Sequence, residues 1–397
     1  MNMMVIKPEG TNSIIITNKL RSNILGAFNN TVQVVVIDSN GKIYVGGFFT
    51  SYQGVTANYI IRLNADGTKD TAFDNSTGFN GGVYSIEIDS NGKIYVGGSF
   101  TSYKGVAANG IIRLNADGTK DTAFDNSTGF TIPADTASVY ITKIDSNGKI
   151  YVGGFFTSYK GVQANYIIRL NADGTKDTAF DNSTGFDAEV NSIEIDSNGK
   201  IYVGGNFILY KGVEANSIIR LNPNGTKDTG FDNSTGFDGS VLRLILNSSG
   251  KLYVGGIFEL YKGVQANSII RLNADGTKDT AFDNSTAFGN LELVYSLILD
   301  TNEKLYVGGS FTTYKGVTAN NIIRLNADGT KDTNFDNSIA FDSSVTSLAI
   351  DSSGKLYVGG TFSSYKSITA EKIIRLNADG SIDATSIQLQ NTQIVTT

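Results

Sequence analysis

Residues 42–74 read KIYVGGFFTSYQGVTANYIIRLNADGTKDTAFD, and the Tyr-Val-Gly-Gly core of this stretch returns at Tyr44, Tyr95, Tyr151, Tyr202, Tyr253, Tyr306 and Tyr357. Successive intervals are 51, 56, 51, 51, 53 and 51 residues. A period this steady marks an array of like units, each too small to bury a core without its neighbours. The repeat therefore overrides the two or three domains that a chain of 397 residues would otherwise suggest.

Each unit reads as four strands. Residues 84–89 alternate as a half-buried strand does, and Ser90-Asn91-Gly92 carries an Asn-Gly hairpin signal. Ile94, Tyr95 and Val96 are strong β formers. A longer loop over residues 101–109 leads to Ile111-Ile112-Arg113-Leu114, and Asn115-Ala116-Asp117-Gly118 is turn chemistry again. A short fourth strand is expected over residues 120–124. Four antiparallel strands every 51 residues is the arithmetic of a propeller blade rather than a two-strand solenoid rung. The expected fold is all-β, a seven-bladed β-propeller of four-stranded antiparallel blades.

Ile-Ile-Arg-Leu-Asn occurs seven times, starting at Ile60, Ile111, Ile167, Ile218, Ile269, Ile322 and Ile373. The Asp-Thr-x-Phe element has six good copies, ending at Phe73, Phe124, Phe180, Phe231, Phe282 and Phe335. The seventh reads Asp383-Ala384-Thr385-Ser386, without its aromatic. Leu25-Gly26-Ala27-Phe28 resembles a degraded copy, so Phe28 is expected to restore the count and the N-terminal segment to close the ring as part of the last blade. Closure of that kind protects a sheet edge. Ile387 to Val395 could compete for it. The division expected is an N-terminal arm and closing strand at 1–31, the propeller at 32–386 and a tail at 387–397.

The repeated residues resemble the delta-60 repeat β-propeller family. Its glycine-lysine-hydrophobic, Gly-Gly-x-Phe, Arg-Leu-Asn-x-Asp-Gly and Asp-x-x-Phe elements match residues 92–100, 105–118 and 121–124, and recur over 32 to about 383. The resemblance implies a propeller found in bacterial surface-associated and phage-encoded proteins, with no common catalytic residues to carry over. The last repeat departs from the pattern, with Ser367 in place of the loop glycine.

The bulk composition excludes several classes. A net charge of −6 disfavours a phosphate-binding surface, so no nucleic acid is expected as a partner. Apolar runs reach only about five residues, too short for a helical membrane span, and the opening MNMMVIKPEGTNSIIITN lacks the apolar core of a secretory signal. With no cysteine there is no disulfide or thiolate site, and with no histidine no imidazole base or ligand. Acids outside the repeat register include Glu189, Glu214, Glu259 and Glu292, without evident pairing. A non-enzyme without cofactor or metal is expected.

Other constellations have plain structural readings. Residues 64–70 look like part of an oxygen-ligand calcium loop, yet Arg62 falls at the first ligand position and Phe73 where a bidentate Glu belongs. The arginines Arg62, Arg113, Arg169, Arg220, Arg271, Arg324 and Arg375 are each expected to pair bidentately with a downstream aspartate such as Asp70, Asp121 or Asp383. Asn75-Ser76-Thr77 matches a glycosylation pattern as a by-product of turn composition.

The candidate binding residues lie in the loop between the second and third strands: Tyr52, Tyr103, Tyr159, Tyr210, Tyr261, Tyr314 and Tyr365, followed by Lys104, Lys160, Lys211 and their later copies. This loop shares a face with the variable blade-to-blade connections, the usual place for contacts on a rigid scaffold. The competing reading has the tyrosines packed between blades with only their hydroxyls reaching water. Two functions follow. One is a structural component of a large extracellular assembly, a phage virion or tail, with other structural proteins as partners. The alternative is a lectin-like module binding surface glycans through the tyrosine-bearing face. Location on a virion, outside the cell or at the cell surface goes with both.

Overall fold

The computed structural model describes residues 27–383 except 75–76, 126–127, 182–183, 233–234, 285–286, 290–291 and 337–339, and beyond them the backbone of strands Met3–Ile6, Ile14–Thr17, Leu20–Ser22 and Ile387–Leu389. Asn75, Ser76, Thr385 and Ser386 lie outside the described residues, as does most of the N-terminal arm and C-terminal tail. Every regular element described is a β-strand, and no helix is long and apolar enough to cross a membrane.

Seven antiparallel three-stranded sheets follow one another, the second strand central in each. In the second blade they are Val83–Ile88, Ile94–Gly98 and Ile111–Leu114. The four-stranded blade of the sequence reading is met only in outline. The fourth place is held by a single bridge, Leu114↔Lys120, repeated as Leu63↔Lys69 through Leu376↔Ile382. Gly118, at φ +81°, turns the chain back so that Asp121 N bonds Arg113 O, and a second turn at once, with Phe124 N on Asp121 O and Ala123 N on Asp121 Oδ1, carries it off the sheet.

The Gly-Gly pair after each Tyr-Val sets how closely blades approach. A Cβ on Gly97 would stand 2.6 Å from Val139 Cγ1 of the next blade, and one on Gly98 would stand 2.1 Å from Gly82 O. Only glycine admits the neighbour's valine, and at this pair the strand register slips by one residue. Val32 of the first blade sits on Gly359 of the seventh in the same way, 2.6 Å from a Cβ placed there. The first and last sheets are therefore packed as neighbours, and the ring is closed.

Polar clamps repeat the same step. Arg113 Nε bonds Asp121 Oδ2 at 2.9 Å, its Nη1 donates to Tyr95 Oη at 3.3 Å, and Nη1 also meets Ala172 O in the next blade. Lys93 Nζ shares the same Asp121 oxygen at 2.8 Å. The expected pairing of each arginine with its aspartate is found in all seven units, including Arg375 with Asp383. It is not bidentate, because Nη1 is turned to the neighbouring blade. Arg375 Nη1 donates to Ala65 O at 2.8 Å, carrying the clamp across the closing seam.

Phe28 is buried at this seam, with Ala349, Tyr357 and Ile373 of the last blade in its cluster. Its role differs from the expected one. Its ring lies 4.4 Å from Phe49 and 4.7 Å from Tyr52, as Phe79 lies 4.3 Å from Phe100 and 4.6 Å from Tyr103. Phe28 therefore heads the first blade, as Phe79 heads the second, and does not replace the aromatic missing after Asp383. The N-terminal segment reaches the last blade through its backbone instead. Leu20–Ser22 runs parallel to Ile368–Thr369 and antiparallel to Ile387–Leu389, so the two chain ends share that edge rather than compete for it.

Candidate functional site

The segment over residues 101–109 is not an open loop. Ser102–Tyr103 and Val106–Ala107 form a hairpin, repeated in all seven units, whose two-residue turn holds Lys104 at φ 49° and Gly105 at φ 75°. Two successive left-handed residues make a type I′ turn, whose twist matches the strands it joins. The hairpin lies along its own blade, and Tyr103 Oη reaches Gly118 O at 2.7 Å, in the turn beyond the third strand.

This places the predicted site residues. Tyr52, Tyr103, Tyr159, Tyr210, Tyr261, Tyr314 and Tyr365 are at most 2% exposed, and each hydroxyl donates to a turn glycine carbonyl at 2.6–2.7 Å. Burial pushes the phenols of Tyr103, Tyr159 and Tyr210 well above their usual range, with nearby aspartates adding to the rise. The rings are core, withdrawn from any ligand, because the hairpin folds onto the blade instead of standing off it. Lys104, Lys160 and Lys211 bridge to Asp74, Asp125 and Asp181 at 2.8, 2.9 and 2.8 Å, each ammonium about 5 Å from the preceding tyrosine ring.

What does face outward on this hairpin is valine. Val55, Val106, Val162, Val213, Val264 and Val317 are each 50–56% exposed, one per blade in six blades, and Ile208 adds a further exposed side chain beside the fourth hairpin. Sequence reading passed them over because a β-branched residue after Lys-Gly reads as an ordinary strand residue.

The first strands of the blades supply a second, asymmetric feature. At equivalent register the chain places Val36, Glu87, Lys143, Glu194, Ile245, Ile298 and Ala349, so three successive blades carry charge where the others are apolar. Lys143 Nζ meets Glu194 Oε1 at 3.1 Å. Glu87 faces the third blade, and burial pushes its carboxyl up to about 7, Lys143 opposing the rise and Glu194 adding to it. Burial works to lower the Lys143 ammonium, but Glu194 and Glu87 outweigh it and hold the value raised. Arg243 lies one step along, its Nε 3.4 Å from Tyr295 O. Glu87 and Lys143 each line a cleft open to solvent. One of about 990 Å³ is lined by Glu87, Asp38, Asp89, Lys42 and Arg62, and one of about 640 Å³ by Lys143, Asp145, Lys149 and Arg169. The alternation of residues 84–89 concealed Glu87, and only comparison of blades at one register position exposes it. Among the described residues no cluster of histidine, cysteine, aspartate or glutamate has the makings of a metal site.

The family model described as a "domain of unknown function (DUF5122) beta-propeller" matches residues 39–73, 90–124, 146–180, 197–231, 248–282, 302–335 and 352–385, more than half of the chain. The chain belongs to the DUF5122 β-propeller family. Its seven matches coincide with the seven blades, which supports the resemblance stated above at the level of a repeat β-propeller. No curated protein matches the sequence. Among solved structures, the DUF5122 chain is similar to the WD40 β-propeller domain of Doa1, at 14% identity and a TM-score of 0.57 over 91% of this chain and 96% of that one. It is similar also to catalytically inactive virginiamycin B lyase from Staphylococcus aureus, at 15% identity and 0.54 over 87% and 97%. The extracellular domain of a one-component system from B. thetaiotaomicron matches at 16% identity and 0.53, over 87% of this chain but 39% of that one. Likeness at this identity speaks for the fold.

Proposed function

We propose that this propeller is a non-catalytic scaffold that makes protein–protein contacts in a large extracellular assembly, a phage virion or tail being the form that suits it best. The observation that carries the reading is the contrast between interior and rim. The repeated tyrosines, arginines and lysines close hydrogen bonds and ion pairs within the ring, while six equivalent valines stand half-exposed around it. Apolar side chains repeated at one exposed position suit a protein surface. A glycan reading through the tyrosine face loses its aromatic platforms, since those rings are buried.

Mass spectrometry of purified particles tests the scaffold, with a glycan array in parallel. Fixed stoichiometry with other structural proteins is the expected result. A chain absent from particles that binds saccharides at several equivalent positions would overturn it.

A further inference from the structure

Of the 19 tyrosines, two in each unit belong to the repeat, one in Tyr-Val-Gly-Gly and one in the outer hairpin. Five do not: Tyr59, Tyr84, Tyr140, Tyr166 and Tyr295. Every repeat hydroxyl bonds within the ring, to an arginine or to a turn carbonyl. The five others have no hydrogen-bond partner for the hydroxyl among the described residues.

All five stand at one end of the ring. Tyr84, Tyr140 and Tyr295 occupy the bulge where the first strand slips past the Gly-Gly pair. The first strands of adjacent blades lie side by side, with Thr142 N donating to Ser85 Oγ, so these three tyrosines sit on the inner rim of that end. Tyr59 and Tyr166 precede third strands, and their carbonyls accept from Gly47 N and Gly154 N, the second glycine of the same pair.

The distribution around the ring is uneven. Four of the five fall in the first three blades, with Phe48 and Phe155 among them. Phe48 meets Tyr84 at 5.5 Å and Tyr84 meets Tyr140 at 5.6 Å, edge to face, a chain of rings across three blades. Phe155 lies 6.2 Å from Tyr166. Phe48 is 36% exposed and the other rings are half-buried. Tyr59 and Tyr166 hold φ at 66° and 64°, where the second blade has Gly110 at 76°. A bulky residue in the left-handed region is strained, and strain of this kind gathers at ligand sites.

Carboxylates complete the arc. Burial raises the phenols of Tyr140, to about 12, and of Tyr166, and Glu189 adds to both. Asp135, from the insertion that lengthens the third unit, acts on Tyr140 as well, and among the described residues no cation acts on either phenol. Glu189 Oε1 accepts from Asn206 Nδ2 at 3.3 Å. Phenols lacking an acceptor and a carboxylate short of donors are satisfied together by a group that both gives and takes a hydrogen bond, as a sugar hydroxyl does. An ammonium only gives, and an anion meets the carboxylates.

We propose that this arc, on the inner rim over the first three blades, binds a neutral saccharide. Phe48, Tyr84 and Tyr140 supply apolar ring surface, and Tyr166 and Glu189 bond its hydroxyls. One arc per ring means one saccharide per protein chain, not seven equivalent pockets. The site goes beyond the scaffold reading, and either can fail alone: particle composition decides the one and saccharide titration the other.

The test titrates the full chain with neutral oligomers of glucose, galactose and N-acetylglucosamine, and with a sialylated oligosaccharide, by calorimetry and saturation-transfer NMR. The expected result is one-site binding of at least one neutral oligomer and weaker binding of the sialylated one. Tyr84→Ala with Tyr140→Ala should weaken binding about tenfold or more. Tyr84→Phe with Tyr140→Phe keeps the rings and the fold and should weaken it several-fold through the lost hydroxyls. Tyr295→Phe, in the sixth blade, should bind as the parent does. No neutral oligomer bound at millimolar concentration, a preference for the sialylated probe or for tetramethylammonium, or binding by the Phe pair equal to the parent's would each overturn the proposal.

Discussion

Ser367 holds φ at +63°, in the hairpin position where the six other units place glycine. A side chain in the left-handed region costs about 1–2 kcal/mol, part of which glycine gives back through the entropy of the unfolded chain. Ser367→Gly is therefore expected to raise stability by about 0.5–1 kcal/mol, read from urea denaturation midpoints. Glu87 carries a pH dependence of its own. Its carboxyl is raised from 4.5 to about 7, so across that window the folded chain holds more protons than the unfolded chain. Stability is thus lost as pH rises through the window, and the loss is complete above it. Glu87→Gln should match the parent near pH 4 and exceed it near pH 8 by on the order of 1–3 kcal/mol, in denaturation series at the two pH values. Phe28 fills the socket that Phe79 fills one blade on, so Phe28→Ala and Phe79→Ala should each cost about 3–5 kcal/mol in the same assay. A much smaller loss at Phe28 would show that the seam does not need its aromatic.

At the scale of the strand and turn, much was legible in the sequence, because the repeat supplies seven readings of one pattern. The Tyr-Val-Gly-Gly and Ile-Ile-Arg-Leu strands stand where alternation and β propensity place them. The fourth strand was overread, since a turn over residues 121–124 follows it at once and limits its pairing to one bridge. The outer hairpin was underread, since Lys-Gly is a rarer type I′ signal than Asn-Gly. Asn91-Gly92 does turn the chain, but through Asp89, whose Oδ1 accepts from Asn91 N and Lys93 N at 2.9 Å. The tyrosines had two readings in the sequence, contact residues or packing between blades, and the folded hairpin buries them as the second requires. The charged first strands escaped notice because charge on one side of an alternating strand is ordinary until the blades are compared. Packing between sheets gives a sharper test. Gly359→Ala drives a methyl against Val32 Cγ1 and should cost about 1–3 kcal/mol. Val32→Ala added to it should cost less than the two single changes together, as a double-mutant cycle would measure.

Over the whole ring, six blade junctions join consecutive repeats and the seventh joins the first repeat to the last. It keeps the valine on glycine, the arginine clamp, and Val35 N donating to Ser347 Oγ at 2.9 Å. Arg375 stacks on Tyr357, and the sequence position that Phe124 holds after Arg113 is Ser386 after Arg375, without an aromatic ring. Opening should therefore start there. Native-state hydrogen exchange is expected to find strands Val32–Ile37 and Val345–Ile350 less protected than Val190–Ile195 on the far side. Equal protection all round would show that the missing aromatic has no energetic consequence. The antiparallel pairing of Leu20 with Leu389 has a consequence of another kind. Leu389 lies opposite Leu20, so a short turn could splice the one to the other once residues 1–19 and 390–397 are left out. Circular permutants newly started at any of the connecting segments between blades should then fold to the same wheel, with no sector privileged as the beginning.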